Sequence, residues 1–132
     1  AANGYTVTVS ANQTLTSGGG ATIEEYIEGS GTSTPTGWAG PVPVFGSPDT
    51  YGHWGLTTED ASLSDGDSFG TALYVGDFIN NPREILYNTG PGDGATPGEG
   101  ATRVGFKVEI SSLQEAGSDY TATLNYVATP IF

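Results

Sequence analysis

Cysteine and methionine are both absent from this 132-residue chain. Without a thiol, no disulfide holds the fold and no thiolate can act as nucleophile or metal ligand. A chain that opens on Ala1 and contains no methionine is expected to be a processed product or a trimmed piece of a longer chain. Its acidic, Thr/Ser/Gly-rich composition fits an exported surface protein after leader removal, so the expected location is extracellular. Basic residues are nearly missing: 3 Lys and Arg stand against 15 Asp and Glu, a formal charge of −12. Such a molecule repels phosphate backbones and anionic bilayers, so neither nucleic acid nor a charged membrane surface is an expected partner. No apolar run approaches the roughly 20 residues of a spanning helix, and membrane insertion is not expected. With a single histidine, His53, any catalytic triad would have to be built around that residue.

What the chain does contain is punctuation and alternation. Gly (21) and Pro (8) fall in clusters between apolar runs, and aromatics make up 11% of the residues. This is the composition of a turn-rich sheet protein with a lean core helped by rings. In "GYTVTVS" (4–10), Tyr5, Val7 and Val9 share one face and the threonines share the other. "RVGFKVEI" (103–110) places Val104, Phe106, Val108 and Ile110 inward and Lys107 and Glu109 outward. From Tyr120 the ending alternates again, with Tyr120, Ala122, Leu124 and Tyr126 on one side. Further strands are expected at 21–29, 51–59, 71–79 (with Gly76 as a bulge) and 84–88, separated by a Pro-rich loop at 30–50 and a flexible Gly-rich loop at 89–102. The expected fold is one all-β domain over 1–132, an antiparallel β-sandwich of immunoglobulin-like or jelly-roll-like type, with its last two strands forming a hairpin.

Candidate chemistry is sparse. There is no G-x-S-x-G elbow, no pair of histidines and no lysine in the glycine-rich loop, whose Asp93 and Glu99 would repel a phosphate. His53 reads as a packed, hydrogen-bonded core residue. Glu24 and Glu25 are adjacent, so in a strand they point to opposite faces and cannot flank one glycosidic bond. No catalytic residue is assigned, and the chain is not expected to be an enzyme. Glu59, Asp60, Asp65 and Asp67 form an acidic loop that could ligate calcium through hard oxygens, against the plainer reading of a solvated rim. Trp38, Tyr51 and Trp54 could stack on the rings of a cell-surface glycan, against the plainer reading of core aromatics. Lys107 points outward and so does not suit an intramolecular isopeptide bond. Asn12 opens a glycosylation sequon with Gln13 and Thr14.

Three stretches, "NGYTVTVSANQTLTSGG", "HWGLTTE" and "ISSLQEAGSDYTATLNYVATPIF", together resemble a family of exported, Thr-rich β proteins of uncultured bacteria of the candidate phyla radiation type. The resemblance covers about half of the chain and excludes the Pro-rich segment. It implies a cell-surface location and a β-sandwich but no chemistry, and it implies further β sequence upstream of the Asn-Gly-Tyr strand. A sandwich short of that strand would leave an open groove for a neighbour's strand. Tyr5, Val7 and Val9 at one end, and Tyr120, Leu124, Tyr126 and Phe132 at the other, are the expected subunit contacts. On this reading the chain is a homopolymer subunit, pilus-like or matrix-like, assembled by strand exchange between copies. Two alternatives stand beside it: a monomeric adhesin or carbohydrate-binding module, and a phage capsid decoration domain. The strand-exchange polymer reading fails if the first and last segments both pair only within their own molecule, and the adhesin reading then takes its place.

Overall fold

The computed structural model describes residues 2–27, 33–70, 72–117 and 119–132. Parts of the expected 21–29 and 71–79 strands and of the Pro-rich loop (28–32 and 71) lie outside the described residues. The strands are β1 (Tyr5–Ala11), β2 (Leu15–Thr16), β3 (Thr22–Glu25), β4 (Thr36–Gly37), β5 (Gly52–Thr58), β6 (Leu73–Tyr74), β7 (Arg83–Asn88), β8 (Val104–Ile110) and β9 (Leu124–Pro130). One 3₁₀ turn, Pro48–Thr50, is the only helical element among the described residues. The all-β, sandwich-like architecture follows from the period-two pattern: each long strand has one apolar face to bury and must find a second sheet to bury it against.

One sheet has the order β7-β1-β9 and the other β2-β3-β5-β8, with β4 and β6 forming a small third ladder. All pairs are antiparallel except β3 and β5, which run parallel through Glu24 opposite His53 and Glu25 opposite Trp54. Val9, Ala11 and Ile85 from the first sheet meet Ile23, Trp54 and Leu56 from the second. The Thr58 hydroxyl ties the layers together by donating to the Ile85 carbonyl at 2.8 Å. In β5 the expected alternation holds: Trp54 and Leu56 enter this core, whereas His53, buried on the opposite face, meets the rings of Tyr26 and Trp38 edge-on.

The segment between β5 and β7 fills the core from outside the sheets. Leu63, Phe69, Val75 and Phe78 are all buried, although among the described residues of this segment only Leu73–Tyr74 is a strand. Val75 and Leu56 exchange two main-chain hydrogen bonds at 2.9 and 3.0 Å, extending β5's edge where β3 ends. Gly76 is therefore not the bulge expected from sequence. It is glycine because a Cβ there would lie 2.0 Å from the carbonyl oxygen of Tyr26. The one register shift seen in the long ladders is between β1 and β7, where the pairing skips Ile85.

Two expectations change. The hairpin between the last two strands does not form: β8 pairs with β5, and β9 pairs with β1 in the other sheet. The intervening segment is long enough to cross between sheets, touching β2 through reciprocal Thr16–Thr121 main-chain bonds of 3.1 and 3.0 Å before Asn12 takes it up. The groove expected beside β1 is also absent, because β7 and β9 occupy both of its edges. The glycine-rich loop is tied to two strands: the side chains of Tyr5 on β1 and Asn88 on β7 both donate to the Glu99 carbonyl, at 2.6 and 2.9 Å.

Gly76→Ala is expected to destabilise the protein by about 1–3 kcal/mol, since the added methyl meets main chain that cannot step aside. Urea denaturation of the two proteins measures it, and an unchanged midpoint would show that Tyr26 and Gly76 are not held this closely.

Candidate functional site: two free sheet edges

The acidic residues 59–67 do not converge. Asp60 is buried and spends its carboxylate on the chain itself, accepting from the Ser62 amide (2.9 Å), the Ser62 hydroxyl (3.1 Å) and the Tyr87 amide (2.8 Å). Glu59 accepts from the Arg103 amide at 2.9 Å, and Asp65 from the Asp67 amide at 2.9 Å. Asp67 pairs with Arg83 at 3.3 Å. Burial holds its carboxyl above the usual range and the neighbouring Asp65 adds to this, with Arg83 opposing both. Among the described residues no group of three or more His, Cys, Asp or Glu is placed to hold a metal ion.

The three candidate sugar-stacking rings are likewise separated. Trp54 is buried in the inner core. Trp38 lies on the outer face of β5, stacked on Tyr26 with centroids 4.9 Å apart and planes within 10°. Lys107 sits over the Trp38 ring at 4.8 Å, and the Trp38 indole N–H donates to Glu109 at 3.3 Å. Gly55 makes room for this cluster, with Trp38 Cζ3 only 3.1 Å from where its Cβ would be. A sugar needs one free ring face, and stacking on Tyr26 takes one while Lys107 lies over the ring. Tyr51 is occupied elsewhere, its hydroxyl accepting from the Gly46 amide at 2.9 Å. The Asn12 side chain accepts from the Thr123 amide at 2.8 Å, so the sequon asparagine is exposed but engaged with the crossing segment.

The subunit-contact candidates divide by position. Tyr5, Val7 and Val9 lie on β1, whose two edges are both paired, and Val9 is in the core. That strand has no main-chain edge to offer. Tyr120 and Leu124 pack against the core rim, Tyr126 is 53% exposed, and Phe132 is fully outside.

The unpaired surface is instead at β8 and β9, the outer strands of the two different sheets. Hydrogen-bond parity identifies which groups are free. The Ile131 amide donates to the Gly4 carbonyl at 2.9 Å, and the Asn12 amide to the Thr123 carbonyl at 3.0 Å. In an antiparallel ladder this directs Asn125, Val127 and Thr129 toward β1 and leaves the main-chain groups of Leu124, Tyr126 and Ala128 on the open side. On β8 the Ser111–Tyr51 bond (2.7 Å) and the Glu59–Arg103 bond (3.1 Å) leave Val104, Phe106, Val108 and Ile110 on the open side in the same way. None of these amides has a partner among the described residues.

Both edges also show apolar side chains on the core side. Leu124 and Tyr126 stand opposite Ala11 and Val9, two core residues, so they share the core-facing side of their sheet. Val108 stands opposite Trp54 on the other sheet and is 49% exposed, and Ile110 beside it 54%. Ile23, Val108, Ile110 and Tyr120 line a cavity of ≈ 490 Å³ under the segment that follows β8. Alternation signalled the apolar face of both strands, but nothing in the sequence signalled that the far half of each would stay uncovered.

Comparison with protein-family models, with curated proteins and with solved structures returned no match.

Asp93 in the glycine-rich loop accepts from the amides of Ala95 (2.9 Å) and Thr96 (2.8 Å) and from the Thr96 hydroxyl. These bonds, that of the Thr96 side chain first, lower its pKa to about 2. A depressed carboxyl stabilises the fold above its unfolded pKa, and the contribution is lost as pH falls toward the folded value. NMR titration of the Asp93 carboxyl should give a midpoint near 2, and Thr96→Val should move it up. A midpoint at the ordinary aspartate value in the wild-type protein would show that this turn does not form.

Proposed function

We propose that this protein is a structural subunit of an extracellular homopolymer, pilus-like or matrix-like, whose copies are joined by main-chain pairing between sheet edges. The observation that carries the reading is that the two sheets each end in a seven-residue strand with one unpaired side, β8 and β9. Natural sheet proteins shorten, cover or charge such edges because an open row of N–H and C=O groups recruits another strand. Here the edges are long and flanked by exposed Val, Ile and Tyr, and although β8 carries Lys107 and Glu109, β9 carries no charged side chain. Two edges on opposite layers make the subunit bivalent, and a bivalent subunit whose contacts do not close on themselves extends into a filament. Exchange of the terminal strands, the mode expected from the sequence, is set aside, since β1 and β9 pair with each other within one molecule; the contact proposed here instead adds a copy at the open sides of β8 and β9.

A second reading, a monomeric surface-binding module, draws on the tip of the Pro-rich loop. Gly46, with φ +89°, lets Val44–Ser47 close a tight turn through a 2.9 Å bond, which leaves Phe45 88% exposed. Val42 and Val44 are exposed beside it. That is a held apolar knob of the kind binding surfaces use.

Size-exclusion chromatography with light scattering, followed by electron microscopy, separates the two. The polymer reading expects species well above the 13.5 kDa monomer, growing with concentration. Val127→Lys, which charges the outer face of β9, should weaken assembly at least about tenfold without changing the circular dichroism spectrum. A monodisperse monomer up to millimolar concentration would overturn the polymer and leave the binding module.

A further inference from the structure

We propose that β9 is a self-pairing strand: two copies join antiparallel along β9, with Tyr126 directly opposite the partner's Tyr126. The inference rests on the polymer reading and assigns one of its two contacts. The free amides on β9 are those of Leu124, Tyr126 and Ala128, a set symmetric about Tyr126. In the register centred there, Tyr126 exchanges two bonds with its counterpart, and each Leu124 exchanges two with an Ala128. Every free donor on the strand then has an acceptor. Pro130, which has no N–H and also directs its nitrogen to the open side, ends the ladder. A register shifted two residues toward the C-terminus would set Leu124 against Pro130 and leave the Leu124 carbonyl without a donor.

Charge selects a second copy as the occupant. The molecule carries −12, so most of its surface repels itself. Self-pairing places each strand beside its own sequence, where like charges directly opposite are destabilising. The last charged residue is Asp119, and residues 120–132 carry none. β9 is thus an edge that a copy of this acidic chain can approach without opposing like charges. Its side chains suit the register, with the large Leu124 facing the small Ala128 on the core side. The product is a continuous six-stranded sheet, β7-β1-β9-β9-β1-β7, across a two-fold axis. β8 is left free for the next contact.

The absence of cysteine makes the test clean, because any introduced thiol is unique. Opposite residues in a hydrogen-bonded antiparallel pair have Cα atoms about 5.5 Å apart, within disulfide reach. Diagonal neighbours are about 7–8 Å apart, beyond it. Under mild oxidation of the full chain, Tyr126→Cys should form disulfide-linked dimers at least about tenfold faster than Val127→Cys. Because losing the tyrosine could itself weaken association, a second pair is needed. Leu124→Cys and Ala128→Cys should each stay monomeric alone on a non-reducing gel and cross-link when mixed. If wild-type protein assembles but neither pattern appears, β9 self-pairing is overturned and the polymer reading stands with another interface. If the wild-type protein is monomeric at every concentration, both are overturned.

Discussion

The two-sided pairing of β1 is the constraint on which the rest of the structure depends. Its residues bond β7 on one side and β9 on the other, so the opening strand of the chain is the middle of its sheet. The ladder to β9 joins Tyr5 to Pro130 and Ala11 to Leu124, residues separated by nearly the whole sequence. Long-range pairing of this kind closes late and slowly, because the chain entropy of the loop must be overcome before the hydrogen bonds form. β8 pairs with β5 in the other sheet, so the closing strand on β1 has no hairpin with its sequence neighbour, and the two strands become edges of different layers.

The two edges are not equivalent. The outer face of β8 is anchored by Lys107 over the Trp38 ring and by Glu109 on the Trp38 indole. Those charges also work as local protection against indiscriminate pairing. β9 has neither feature. Asn125, Val127 and Thr129 on its outer face are exposed, and no charged side chain lies within the strand. In a chain with 15 acidic residues, that uncharged strand stands out from the rest of the surface.

Alternation made the faces of the strands legible. Val9, Trp54, Leu56 and Phe106 all lie on the side their period-two position predicts. Partner choice was not legible, because alternation specifies which way a side chain points and says nothing of which strand lies beside it. Tyr120, Ala122 and Leu124 do continue one apolar face to the core rim, but the first two belong to the crossing segment rather than to a hairpin. The acidic loop was misleading for a related reason. Proximity in sequence suggested four carboxylates around one ion, whereas each carboxylate caps or pairs a different piece of backbone or side chain. Trp38 and Trp54 are sixteen positions apart in a stretch read as one aromatic surface, yet the β5 sheet runs between them. The buried anchors Leu63 and Phe69 had no periodic signal, since they descend into the core from irregular chain.

The position of β9 bears on how an added strand would act. As an isolated edge it is held by β1's ladder on one side, and only Leu124 among its residues packs against the core rim. A strand exposed on both faces gains little from burial, so its order depends on main-chain bonds that water can compete for. A second strand would satisfy the open amides and cover Tyr126 and Ala128 at once. The same step would shield the inner half of the ladder, including the contacts that close the sheet across β1. Assembly at this edge would therefore reinforce the longest-range pairing in the fold, and an exposed edge strand would become the interior of a wider sheet.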